Sequence, residues 1–239
     1  SGLAESRLGF CQRDQELADM IGTYGETTVS MDTDLQDEMR RLLNRHLEQF
    51  DDISNGSLIV QSNKTAEVLA LIGHTGGSLV NAALTPRSSG SVLKPFIYLD
   101  LIDEGRITSA SIIRDEQLNL KAYNVRNFGG DFTGDVTVQK ALTSSLNTPA
   151  IKALALIGVD PFLQSLKFLG FSTLDRPAED YGLSLALGGG EVNLLELVNA
   201  YCCLANRGNY RPWKLLKKKE PIEKQLYNPA AVDLLTKML

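Results

Sequence analysis

The chain has 239 residues, 43% of them hydrophobic and 22% charged, and a formal net charge of −5 at pH 7. That is enough apolar material for one large domain or two small lobes with a real core, and the acidic balance argues against nucleic acid as a partner. No run approaches the ~18 apolar residues of a membrane span, and three cysteines, Cys11, Cys202 and Cys203, make no disulfide framework.

Residues 1–30 show no strong period and no signal peptide, and read as a lead-in segment. From Asp32 the apolar positions Leu35, Met39, Leu42, Leu43, Leu47 and Phe50 recur at helical spacing, with Thr33 and Gln36 as a capping box. Residues 57–61 and 67–72 are two short apolar runs joined by Ser62-Asn63-Lys64-Thr65-Ala66, which predicts a β-hairpin. A two-stranded hairpin is barely stable alone, and the sequence offers few further strands to support it. Gly76-Gly77 and Pro86-Arg87-Ser88-Ser89-Gly90 then break the pattern.

Ser91-Val92-Leu93-Lys94 opens a segment that is apolar almost all round and ends at Glu104-Gly105. Such a helix is normally buried. An Asn-, Gly- and Asp-rich loop covers 124–135, followed by a short helix over 136–143 and a turn at Ser144-Ser145-Leu146-Asn147. Thr148 and Pro149 suit the N-cap and first position of a helix over 149–157. A further helix is expected over 161–169, and the clearest runs from Asn193 to Asn206. There Asn193 and Glu196 make an N-terminal cap pair and Gly208 is the stop. Residues 228–239 are also helix-like. The whole predicts an α+β fold, a mostly helical body carrying an incomplete antiparallel sheet.

Lys94 is the lone charge in the first two turns of its apolar helix, and a lysine buried there tends to lose its proton. With the helix starting near Ser91, residues i and i+3 share a face, so a hydroxyl sits beside an amine able to act as its base. Gly90 supplies a sharp approach, and the helix dipole favours a developing alkoxide at Ser91. Ser145-x-Asn147 adds a second hydroxyl and an amide, the groups that acyl transfer needs to pass a proton to a leaving amine and to hold a peptide carbonyl. Each motif alone is weak. Cys202 and Cys203 read as small core residues, and with only His46 and His74 no histidine–cysteine cluster has zinc spacing. His46 reads as solvent-facing, while His74 follows a strand and leaves a serine–histidine triad open. Gly188-Gly189-Gly190 reads as a tight turn rather than an anion site, and Lys217-Lys218-Lys219 as a solvated loop.

Taken together, Arg87-Ser-Ser-Gly-Ser91-Val-Leu-Lys94-Pro95-Phe96 and Ser145-Leu-Asn147-Thr-Pro149-Ala resemble the transpeptidase domain of the penicillin-binding proteins. Thr28-Val-Ser-Met-Asp32-Thr-Asp-Leu-Gln36 is similar to the TLDxxLQ opening helix of the class A members. The run from Leu187 to Tyr201, continuing to Ala205-Asn206-Arg207-Gly208, resembles the segment before their third motif. Asn127-Phe128 with Phe132-Thr-Gly134-Asp-Val136 most resembles the branch called penicillin-binding protein 1C. The resemblance covers residues 25–239. It implies the penicillin-binding protein and serine β-lactamase-like fold, with the transpeptidase domain at 31–239. That domain divides into opening helix and hairpin at 31–75, helical subdomain at 90–215 and C-terminal helix at 228–239.

Carried over residue by residue, the resemblance implies Ser91 as the acylated nucleophile, Lys94 as its general base, Ser145 as proton relay and Asn147 as the donor-peptide ligand. The implied substrate is the D-Ala-D-Ala end of a peptidoglycan stem peptide, with β-lactams as covalent ligands, no cofactor and no metal. Other cell-wall synthesis proteins are candidate partners. The implied place of work is the periplasm, at the outer face of the bacterial inner membrane, and a membrane anchor and glycosyltransferase domain are expected in the parent protein. The family's K-[ST]-G strand has no counterpart here, since Lys64-Thr65 is followed by Ala66. The expectation is therefore a fragment of a longer enzyme, truncated before that motif. The alternatives are a catalytically impaired scaffold or binding module of the same fold, or a serine β-lactamase- or esterase-like hydrolase.

Overall fold

A computed structural model describes residues 29–53, 55–75, 80–120, 123–216 and 223–239. The lead-in up to residue 28, Cys11, Gly76-Gly77 and the Lys217-Lys218-Lys219 run lie outside them. The chain divides into two compact units, one comprising Ser1–Thr85, Asn193–Cys202 and Arg211–Ile222, the other Pro86–Val192, Cys203–Tyr210 and Glu223–Leu239. Among the described residues the strands form five two-stranded antiparallel ladders, set among helices, with isolated bridges joining Val29 to Leu216 and Glu67 to Lys214.

In the first unit, helix α1 (Thr33–Leu47) packs on the hairpin of β1 (Leu58–Gln61) and β2 (Val68–Ile72). The hairpin pairs Leu58 with Ile72 and Ile59 with Leu71, with a bulge between Val60 and Gln61, as the two apolar runs predict. The expected capping box is corrected. Asp32 is the N-cap, its Oδ1 accepting from the Leu35 N–H at 3.0 Å. Gln36 instead turns inward, donating to the Leu71 carbonyl at 2.6 Å and accepting from the Leu71 N–H at 2.8 Å. Two buried backbone groups on the open edge of β2 need partners more than one solvated amide at a helix end does. Beneath lies a core of Val68, Leu71, Ala83, Leu195 and Leu215, with Met31, Ile59, Leu84 and Trp213 packed against it. Helix α7 (Leu194–Ala205) starts where its cap pair predicts, Asn193 Oδ1 accepting from the Glu196 N–H at 2.8 Å. Cys202, in this unit, is buried as expected.

The second unit is built around α2 (Lys94–Asp103), in which every residue from Lys94 to Ile102 is buried. The expectation drawn from its all-round apolarity holds, because a helix with no polar face has no stable place at a surface. Against it pack α3 (Val138–Thr143), α4 (Asn147–Ile157), α5 (Val159–Phe168), the 3-10 segment Gly182–Leu187 and α8 (Pro229–Thr236). Phe96 meets Phe171 edge to face at 6.4 Å. A single turn, α6 (Ala178–Tyr181), precedes the 3-10 segment.

Four ladders in this unit are strands that the sequence pattern does not reveal. Strand β3 (Arg87–Ser88) pairs with β8 (Glu191–Val192), β4 (Ile112–Asp115) with β7 (Gly134–Thr137), β5 (Leu118–Leu120) with β6 (Tyr123–Val125), and β9 (Asn209–Tyr210) with β10 (Lys224–Gln225). Two to four residues are too few to show an alternating pattern. Strand β7 also takes Val136 and Thr137 from the helix expected at 136–143, and Thr137 becomes the cap of α3, accepting from the Lys140 N–H at 3.1 Å.

On the far part of α2, Asp100 is 6% exposed and accepts a hydrogen bond from the Tyr227 hydroxyl at 2.9 Å. Burial pushes its pKa up to about 7, against hydrogen bonding by the Ser165 and Tyr227 hydroxyls and reinforced by the charges of Glu104 and Asp103. Between pH 4 and 7 the folded chain therefore keeps a proton at Asp100 that the unfolded chain has released, so stability falls as pH rises through this window. Asp100→Asn is expected to flatten that slope and to stabilise the chain above pH 7 by on the order of 2–4 kcal/mol. Denaturant titrations at pH 4.5, 6 and 8 measure it, and parallel profiles for the two proteins would refute it.

Candidate active site

The start of α2 is shaped by the chain before it. Gly90 has φ +55, a left-handed conformation that glycine adopts without a steric cost. Residues 91–93 form a hydrogen-bonded turn, with the Lys94 N–H on the Ser91 carbonyl at 3.1 Å, and the helix proper begins at Lys94 with Leu93 as N-cap. This corrects the expected helix start near Ser91 by one turn. Ser91 is exposed, whereas Lys94 is 1% exposed. Among the described residues the Ser91 N–H donates no backbone hydrogen bond.

Lys94 reaches across to the turn between α3 and α4. Its Nζ donates to the Ser145 carbonyl at 2.6 Å, to Ser145 Oγ at 3.2 Å and to Asn147 Oδ1 at 2.8 Å. The structure thus brings together Lys94, Ser145 and Asn147, while Ser91 stands one turn before Lys94 without a hydrogen bond to its amine. Burial lowers the Lys94 pKa to about 8, so roughly a tenth of the amine is neutral at pH 7 and more than half above pH 8. Ser145 has φ +50, uncommon for a residue with a Cβ and a sign of stored backbone strain.

Helix α4 does not start as Thr148 and Pro149 suggest. It begins at Asn147 after Leu146, which offers no side-chain cap. The Thr148 hydroxyl donates instead to Asp115 Oδ1 at 2.5 Å, because an ionised carboxylate is a stronger acceptor than anything at the helix end. The first N–H of α4, that of Asn147, is satisfied by Asn127 Oδ1 at 2.8 Å, and Asn147 Nδ2 donates to the Arg126 carbonyl at 2.8 Å. In the sequence Asn127 stands out only as part of the Asn127-Phe128 resemblance. Its part here, and that of Asp115, carry no local signal, since Arg114-Asp115-Glu116 reads as a solvated charged stretch.

Gly188-Gly189-Gly190 is a turn, as expected, but a turn pressed against the approach to Ser91. A Cβ on Gly188, which has φ +98, would lie 2.5 Å from the Gly90 nitrogen and 2.7 Å from Ser88 Oγ. Ser88 Oγ donates to the Gly188 carbonyl at 2.8 Å, and the Ser89 N–H to that of Gly190 at 3.1 Å. Chemically, the cluster joins an exposed hydroxyl at a helix start, a partly neutral amine, a second hydroxyl and a fixed amide.

The family described as the penicillin binding protein transpeptidase domain matches residues 56–239. Penicillin-binding protein 1A of Neisseria flavescens is 34% identical over 163 residues, 64% of this chain and 20% of that protein. Penicillin-binding protein 1C of Escherichia coli (strain K12) is 28% identical over 218 residues, 89% of this chain and 28% of that protein. The chain thus spans only about a fifth to just over a quarter of these curated relatives. Among solved structures, the apo TP domain of Burkholderia pseudomallei penicillin-binding protein 3 superposes with a TM-score of 0.78 at 20% identity. It covers 91% of this chain and 70% of that one, and bears out the α+β fold read from the sequence.

Proposed function

Because the chain belongs to the penicillin-binding protein transpeptidase family, we propose that it carries the acyl-transfer centre of a peptidoglycan D,D-transpeptidase. The observation that supports this reading best is the buried Lys94 amine, held by Ser145 and Asn147 one helical turn from the exposed Ser91. In this reading neutral Lys94 takes the Ser91 proton as Oγ attacks the carbonyl between two D-alanines of a stem peptide. The Ser91 N–H, at the positive end of the α2 dipole, is one donor to the oxyanion. Ser145 passes the proton to the leaving nitrogen, the C–N bond breaks and free D-alanine departs. An amine of a second stem then attacks the Ser91 ester, forming the cross-link and returning the proton to Ser91. Asn147 holds the donor peptide through its amide. The place of action in this reading is the extracytoplasmic side of the membrane.

A β-lactam acylates the same hydroxyl. Intact-mass measurement on the protein expressed from its own gene, after exposure to a labelled penicillin, is expected to show one adduct on wild type and none on Ser91→Ala. No adduct on wild type, or one that survives Ser91→Ala, would falsify the proposal. A long-lived adduct supports transpeptidation, whereas rapid turnover of a chromogenic β-lactam would reassign the centre to a hydrolase.

A further inference from the structure

We propose that Asp115 is a positioning residue for this centre. Its carboxylate fixes which way the Asn127 amide points, and through Asn127 it holds Asn147 Oδ1 on the Lys94 amine. The inference rests on the function proposed above and deepens it.

Asp115 ends β4 and is 1% exposed, and it touches neither Lys94 nor Ser145. Among the described residues its partners are neutral donors. Thr148 Oγ1 donates to Oδ1 at 2.5 Å, the Thr133 N–H to Oδ2 at 2.8 Å, and Asn127 Nδ2 to both oxygens at 2.9 Å. Burial alone would raise its pKa, but the Thr148, Asn127 and Thr133 hydrogen bonds outweigh it and leave the pKa below the usual carboxylate value. The group is therefore an anion that can only accept hydrogen bonds.

That polarity propagates. An asparagine amide can sit in either of two orientations, and only one presents its NH2 to a carboxylate. With Nδ2 facing Asp115 and also donating to the Asp131 carbonyl at 3.0 Å, Asn127 must present Oδ1 on its other side. There it accepts from the Asn147 N–H, one of the unpaired amides that every helix start leaves. The neighbouring Arg126 carbonyl accepts from Asn147 Nδ2, which leaves Asn147 Oδ1 facing Lys94 Nζ at 2.8 Å. Residues 126–127 thus accept from the backbone N–H and the Nδ2 of Asn147 while Lys94 donates to its Oδ1, and Asp115 anchors Asn127.

In Asp115→Asn one of the two oxygens that accept from Asn127 becomes a donor. Asn127 then keeps a single neutral acceptor at position 115, so its orientation is no longer fixed, and a turned Asn127 offers NH2 to the Asn147 N–H. With a fluorescent penicillin as probe, the acylation rate constant is expected to fall on the order of 10–100-fold, while the non-covalent complex keeps its affinity within about twofold. Asn127→Ala, which leaves the buried carboxylate in place, is expected to show the same split. The exchanged pair Asp115→Asn/Asn127→Asp restores an acceptor opposite the Asn147 N–H and lets the new amide at position 115 donate towards position 127. It is expected to recover at least about tenfold over either single change, which a loss of mere packing would not do. Folded Asn127→Ala that acylates like wild type overturns the relay even if no Asp115 variant folds, as does an exchanged pair no better than its parents. Wild type that forms no Ser91 adduct overturns the proposed function and the relay together.

Discussion

Lys94→Met is expected to lower the rate of acylation by penicillin by about 10³-fold while the chain remains folded, because proton transfer by a positioned base contributes 10²–10⁴-fold. Methionine has a similar volume and suits a helix buried on every side, as α2 is. What disappears is the amine that contacts Ser145 and Asn147. The pH dependence distinguishes this role from a purely structural one. With its pKa lowered by burial to about 8, Lys94 is charged and unable to accept a proton at lower pH. Wild-type acylation should therefore rise with pH, reach half its maximum near pH 8 and then level off. Stopped-flow acylation from pH 6 to 10 measures both the level and the profile. A Lys94→Met protein that reacts at the wild-type rate, or that retains the same profile, would remove Lys94 from the role of base.

Gly188→Ala is expected to impair both stability and acylation, although Gly188 belongs to none of the chemical motifs. Its Cβ would enter the space of the Gly90 nitrogen at 2.5 Å and the Gly90 Cα at 2.8 Å, both backbone atoms with no rotamer to give way. Its φ of +98 adds strain for any residue other than glycine. The simplest relief is to push the 88–90 segment away, which breaks the β3–β8 pairing of Ser88 with Glu191 and moves Ser91. A loss of about 2–4 kcal/mol follows from forced overpacking plus strain. Displacing the hydroxyl by even about 1 Å costs acylation on the order of 10²-fold. Gly130→Ala is the control, with φ +81 but open space around its Cβ, so it meets the conformational cost alone. Denaturant unfolding and penicillin acylation of both variants test the contrast. Equal effects at the two positions would show that backbone strain, not contact with Gly90, is what matters.

Much of the centre was legible because its signals are local. Apolar residues on every side of α2 announced burial, and the same fact made a lone lysine there chemically unusual. Asn193 and Glu196 marked the start of α7 through a bond spanning three residues. The hairpin showed as two apolar runs around a polar turn. Helix starts are less legible. Gln36 and Thr148 both sit where the local pattern predicts caps, and both instead serve partners distant in sequence, the Leu71 backbone and the Asp115 carboxylate.

The amino-acid sequence by itself determined the family, the α+β class and the presence of the two motifs Ser91-x-x-Lys94 and Ser145-x-Asn147. Periodicity, caps and motif spacing act over a few residues and survive in a linear reading. Tertiary structure alone decided that Lys94 is held by Ser145 and Asn147, that Asp115 accepts from the Asn127 amide 12 residues away, and that Gly188 accepts the Ser88 hydroxyl across 100 residues. Those arrangements depend on which buried donor meets which acceptor once the chain has closed on itself. Satisfying buried polar groups is a property of the packed interior, and no short stretch of sequence contains both partners.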